Sequence, residues 1–333
     1  MFQPSYTSSS ERDLRRKKEK NRLRSDAAYI GALSLALTIV MEYAFSFVVT
    51  LLVKCGAFSA ENLRMPYLGL DNTLYMCLYM SVYICALLIP ALIVSFCFKK
   101  RFFPFAPTKP VPFSIAFFGV LAAIGLCMLA NIINSYIVYF FTEMGLNVPD
   151  APQTMVETPT SLALNLFTIA ALPALLEEMI YRGYILRTLR PYGNFFAIMV
   201  SSLLFSLMHG NLRQIPFALI VGLVLGTLYV LTNNIWLPIT VHFANNAISV
   251  LMEYFAFSLP EFYQGIFYAL IIYGLVAVGT FCTIIFLVCC IKHLRVRKSE
   301  TALNFVDRVS ALLSTPLFIS ALLMYFLLLI MEM

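Results

Sequence analysis

Long apolar runs separated by short polar or basic segments set the pattern of this chain. A bilayer core of about 30 Å is crossed by roughly 20 apolar residues in a helix, and runs near that length recur from Ala27 onward. The pattern predicts helices over approximately Ala27–Val53, Thr73–Phe98, Phe113–Phe141, Ser161–Tyr181, Phe195–Met208, Ile215–Leu231, Ile235–Phe257, Ile266–Ile291 and Ala311–Ile330. The fifth run is short for a full span. The expected fold class is all-α, a polytopic membrane helix bundle with eight or nine transmembrane helices. Neither a soluble domain nor an internal repeat stands out.

Composition agrees with that picture. The 333 residues are 61% hydrophobic and 12% charged, with a mean hydropathy of +0.85, values that belong to a multi-pass membrane protein. The net charge of +6 is concentrated in short segments between apolar runs, so it speaks for membrane orientation and against nucleic acid. The first run is too long for a cleaved signal peptide and reads as a retained helix. Ahead of it, the tail between Glu11 and Arg24 is polar and basic, expected to be unstructured or to lie on anionic lipid. With that tail in the cytoplasm, alternating spans place Lys99-Lys100-Arg101, then Arg182, Arg187 and Arg190, then Lys292 to Lys298 on the same side. The segment Gly145–Pro159 then faces outward as a Pro-punctuated loop. This arrangement suits a multi-pass protein of the cell membrane. The eight cysteines show no ligand spacing and read as packing residues.

Ionisable residues inside apolar runs are costly and mark functional sites by default. Glu177, Glu178 and Arg182 lie in the run PALLEEMIYRGYILRTLR, and two of the three histidines, His209 and His242, also lie in apolar runs. At about 1.5 Å per residue, Glu177 sits roughly 20 Å from the cytoplasmic end of its helix and His209 roughly 22 Å from its own; His242 and Asn246 sit about 10 and 16 Å from theirs. The four can therefore meet near mid-membrane. Glu178 and Arg182, four apart with the acid first, form a natural pair on one face. Glu177 points elsewhere and is a candidate general base for a water, with His209 placed to hold the same water. His242 and Asn246 share a face and can both donate to an oxygen that gains negative charge. Phe205 lies one turn before His209. Asn131, Asn134 and Glu42 read as interhelical or interfacial polar residues, and Glu253 as solvated.

The motifs EExxxR, FxxxH and HxxxN appear in this order as Glu177-Glu178 to Arg182, Phe205 to His209 and His242 to Asn246. In them the chain resembles the CAAX protease and bacteriocin-processing family of intramembrane glutamic endopeptidases, also called the type II CAAX prenyl protease or Abi family. The resemblance covers roughly Pro159–Tyr254. It implies that Glu177 is the base on a catalytic water, that His209 assists, that His242 and Asn246 stabilise the oxyanion, and that Glu178 and Arg182 hold the helix, with Phe205 beside them. Asn245 is a near alternative to Asn246.

The chain then divides into a basic tail (1–26), N-terminal helices and loops (27–158), a catalytic core (159–257) and C-terminal helices (258–333). No cofactor or metal is expected. The partners expected are the bilayer and a membrane-associated peptide or protein substrate, lipidated or not, and oligomeric state is left open. A zinc-dependent protease using the same Glu and His residues is one alternative, disfavoured because no HExxH helix is present. A transporter, scaffold or immunity factor that keeps the residues for another purpose is the other. The cavity is expected among the fourth, fifth and seventh helices, opening toward the cytoplasm.

Overall fold

The computed structural model describes residues 9–59, 61–100, 108–148, 156, 158–294, 296 and 299–332. The expectations for Arg101, Arg295, Arg297, Lys298 and much of the Gly145–Pro159 loop fall outside them. The described residues form helices and connecting turns without strands. The principal helices are α1 (Ser9–Lys54), α2 (Asn72–Cys97), α3 (Phe113–Glu143), α4 (Pro159–Tyr192), α5 (Asn194–Leu207), α6 (Ile215–Thr232), α7 (Trp236–Phe257), α8 (Glu261–His293), α9 (Phe305–Leu313) and α10 (Pro316–Glu332).

Fewer helices qualify as spans than the sequence pattern suggested. Among the described residues, six are long and apolar enough to cross a membrane, and a seventh arises if α9 and α10, bent by 76° against each other, count as one. The polytopic helical bundle stands, but the expected eight or nine is too high by this measure. The two shortfalls lie at the polar centre. Helix α5 has only 14 residues, and α7 is long enough but loses apolarity to His242, Asn245, Asn246 and Glu253.

The basic tail also departs from expectation. Within the described residues it is helical from Ser9, and α1 rises roughly 69 Å in all, over twice the hydrocarbon thickness. Specific contacts fix this extension. Arg16 donates from Nε and Nη2 to the two carboxylate oxygens of Asp307 at 2.8 Å. Glu19 accepts from Thr301 Oγ1 and Ala302 N, both at 2.8 Å. About two turns deeper, Asp26 accepts from Lys100 Nζ at 2.8 Å and Tyr192 Oη at 2.7 Å. The ends of α1, α2, α4 and α9 are thereby tied together on the basic side.

Local signals set the helix ends. The Asp71 side chain accepts from Thr73 N and Leu74 N at the start of α2, and Thr158 with Ser161 forms a capping box ahead of α4, with Pro159 in its first turn. Gly193, at φ 139°, makes the sharp corner between α4 and α5, where a Cβ would strike the Arg308 guanidinium. Helix α3 packs along α8 through Gly125 and Gly279, whose backbones touch so closely that a side chain on either would overlap the other. Helices α1, α2 and α10 form one flank and α3 with α8 another. Helix α4 runs between them, packed on α5 and α7.

Candidate active site

Helix α4 carries the acids and is twice widened into π-helix, at Leu166–Ala171 and at Met179–Leu186. Such segments cluster at functional sites. Pro173 lies between them and has no N–H to return to the carbonyl of Ile169, four residues earlier. That carbonyl is taken by Asn246 Nδ2 of α7 at 3.0 Å. The break in α4 thus becomes an anchor for the helix that brings His242.

Glu178 and Arg182 are completely buried and meet at 2.6 Å between Oε1 and Nη1. Arg182 Nη2 donates to the Gly222 carbonyl of α6 at 3.1 Å, and its guanidinium lies 4.4 Å from the centre of the Phe205 ring. The same Glu178 Oε1 receives His242 Nδ1 at 3.0 Å. Glu178 therefore fixes the imidazole as well as the arginine. With Nδ1 engaged there, Nε2 is the ring atom that faces Glu177, 4.0 Å from its Oε2. A water or substrate oxygen can bridge a gap of that size.

Glu177 is 6% exposed. Its Oε1 accepts from Tyr83 Oη of α2 at 2.7 Å, leaving Oε2 toward His242. The sequence reading missed Tyr83, although Tyr75, Tyr79 and Tyr83 recur every fourth residue and mark one face of α2. The rings of Tyr79 and Tyr83 stack at 6.5 Å, so this face reaches from the glutamate outward.

His209 lies just beyond α5, its Nδ1 2.9 Å from the Phe205 carbonyl oxygen. The Phe205 ring stands edge-on to both His209 (5.1 Å) and His242 (5.9 Å) and spaces the two imidazoles. Asn245 and Asn246 are joined by a 3.1 Å hydrogen bond from Asn245 Nδ2 to Asn246 Oδ1, and both line the site. Asn131 joins them, whereas Asn134 instead donates to the Arg213 carbonyl at 3.0 Å.

These side chains surround one cavity of about 390 Å³, a size suited to a ligand segment. Glu177, Phe205, His209, His242, Asn245 and Asn246 all line it. Glu178 and Arg182 stand behind it. The lining draws on α2, α3, the α5–α6 turn and α6 in addition to α4 and α7, so the enclosure is wider than the three helices expected. Among the described residues, no three His, Cys, Asp or Glu side chains converge as a metal-binding set. The geometry presents a carboxylate with one free edge, an imidazole nitrogen facing it and amide groups nearby. Those are the parts needed to activate a water and to receive a developing oxyanion.

Residues 159–248 match the family described as type II CAAX prenyl endopeptidase Rce1-like. Over this core segment the chain is similar to the CAAX endopeptidases that the match describes. The chain is also similar to a Bacillus subtilis (strain 168) protein named "Putative membrane peptidase YdiL", with 29% identity over 102 residues. That alignment covers 30% of this chain and 42% of the relative, so the chain spans less than half of the relative's length. No solved structure matches. The family segment contains every motif residue of the cavity but not Tyr79, Tyr83 or Asn131, which come from helices outside it.

Proposed function

We propose that the chain is an integral-membrane endopeptidase that hydrolyses peptide bonds of membrane-associated substrates with a water activated by Glu177. The observation that carries this reading is the division of labour between adjacent carboxylates. Glu178, behind the cavity, gives one oxygen to both Arg182 and His242, while Glu177, held at one oxygen by Tyr83, offers the other to the cavity. The match of residues 159–248 to a CAAX prenyl endopeptidase family supports it.

In the proposed reaction Glu177 takes a proton from water as the water oxygen bonds to the scissile carbonyl carbon. The carbonyl π electrons move onto its oxygen. That oxyanion is met by Asn246 Nδ2–H and, when the ring carries its second proton, by His242 Nε2–H. Collapse of the tetrahedral intermediate breaks the C–N bond, and the proton held by Glu177 passes to the departing amine. His209, on the same cavity wall, helps to hold the water. No covalent enzyme intermediate forms.

The test compares membrane and secreted peptides from cells carrying the wild type with those carrying Glu177→Gln at equal expression. A processed terminus present only with the wild type identifies a substrate. On that substrate, Glu177→Gln is expected to lower kcat by about 10²- to 10⁴-fold, the usual contribution of a general base. Unchanged cleavage by the variant would refute the mechanism.

A further inference from the structure

The cavity is not placed symmetrically between the two ends of the bundle. One end carries the basic residues of α1 between Arg12 and Arg24, Lys99 and Lys100 after α2, and Arg187 and Arg190 on α4. The other carries Lys54 and Arg64 against Asp71, Glu143 and Glu261. Basic residues flanking spans mark the cytoplasmic side.

Most of the cavity lining belongs to the half away from the basic end. On α2 it is Tyr79 and Tyr83, nearer Asn72 than Cys97; on α4 the wall begins at Thr168 and Ile169, before the mid-helix acids; on α7 it runs outward from His242 to Ser249. The α5–α6 turn closes the same wall with His209 and Gln214. Since α5 rises only about 21 Å, this turn sits below the far end of α3. Asn134 marks the level by donating to Arg213 of the turn, roughly 14 Å short of Glu143.

Burial follows the same axis. Toward the basic end the floor is solid: Glu178, Arg182, Ile185, Leu186 and Leu189 are all 0% exposed. Going the other way, Glu177 and His242 are 6% and 5% exposed, Asn131 and Asn246 are half-buried, and Ser249 and Tyr79 are exposed. The sequence-based expectation of a cavity opening on the basic side does not fit this gradient.

We propose that the cavity takes its substrate from the extracytoplasmic half of the membrane, so that the substrate class is an exported or membrane-inserted peptide segment rather than a cytoplasmic lipidated tail. The word substrate rests on the endopeptidase reading above; the direction of opening does not.

The test is labelling of the full chain in cells by a membrane-impermeant maleimide, before and after permeabilisation, with modified sites mapped by mass spectrometry. Native Cys55, exposed after α1, reports the far side, and Lys17→Cys, on an exposed position of α1, reports the basic side. Gln214→Cys reports the cavity, with Ser249→Cys as a second reporter should the first variant not accumulate. The expected result is loss of unmodified Cys55 and Gln214→Cys peptides in intact cells, with Lys17→Cys modified only after permeabilisation. The proposal is overturned if the cavity reporter is modified only together with Lys17→Cys. It also fails if Lys17→Cys reacts in intact cells, or if the cavity reporter stays unmodified throughout. Absence of any Glu177-dependent cleavage would defeat the endopeptidase reading while leaving the labelling result intact.

Discussion

Two polar clusters hold this apolar bundle together, and they are built on opposite terms. At the basic end, Asp26 has both oxygens engaged by Lys100 and Tyr192, and Glu19 accepts two bonds on one oxygen and an arginine on the other. In the middle, Glu178 Oε2, Arg182 Nε and Asn245 Oδ1 have no hydrogen-bond partner among the described residues, although all are buried. Buried polar atoms are rarely left so, and exceptions call for an explanation. The satisfied cluster joins helices; the unsatisfied one stands beside and behind the cavity, with Asn245 in its wall and Glu178 and Arg182 behind it. Substitutions in the two clusters should therefore separate stability from activity.

The largest effect is expected at Arg182. Arg182→Leu leaves the Glu178 carboxylate buried without its cation, a change that costs about 3–5 kcal/mol in comparable buried pairs. Thermal unfolding of the purified protein in detergent should show a large loss. Replacing both partners, as Glu178→Leu with Arg182→Leu, removes the uncompensated charge and should recover most of that stability. Cleavage should not return, because His242 Nδ1 has lost its acceptor. A double variant as unstable as the single one would show that the pair is not what the bundle tolerates or rejects.

A smaller and purely functional effect is expected at Tyr83. Tyr83→Phe keeps the ring and removes the hydroxyl that donates to Glu177. A hydrogen bond to a charged group contributes about 1.5–3 kcal/mol, so the glutamate loses its fixed orientation for a cost that corresponds to roughly a 10- to 100-fold fall in kcat. KM should move little, and the melting curve should shift far less than for Arg182→Leu. If KM rises while kcat is kept, Tyr83 contacts the peptide rather than positioning the base.

Helical spacing made half of this site legible. Glu178 and Arg182, Phe205 and His209, and His242 and Asn246 are each four apart; in the fold the first and last pairs each share a face of their helix, and His209, just past the end of α5, still meets the Phe205 carbonyl. What spacing could not show is how the helices face one another. That His242 leans on Glu178 and only then faces Glu177 is a contact across 64 positions. Tyr83 was hidden for a different reason: a tyrosine every fourth residue reads as ordinary packing until a carboxylate is found opposite it. The span count ran slightly high for the reason the site exists. The polar residues that make α7 chemically useful are the ones that lower its apolarity below that of a simple span, and α5 is short because its end stops at the cavity. The helical tail escaped notice because its stability comes from Asp307, Thr301 and Ala302, almost 300 residues away.

The smallest effect belongs to the satisfied cluster, and there the choice of substitution decides its size. Asp26→Asn keeps an oxygen to accept the Tyr192 hydroxyl and gives up only the charge opposite Lys100. The Lys100 side chain is 37% exposed, and partly solvated pairs of this kind contribute about 0–1 kcal/mol. Asp26→Leu also leaves the buried Tyr192 hydroxyl without an acceptor, at about 1–3 kcal/mol. Melting temperatures should therefore fall in the order wild type, Asp26→Asn, Asp26→Leu. Cleavage per folded molecule should be the same in all three, because the floor of buried side chains separates this end from the cavity. A loss of specific activity in Asp26→Asn would mean that the two clusters are coupled through α4, and the division drawn between them would fail.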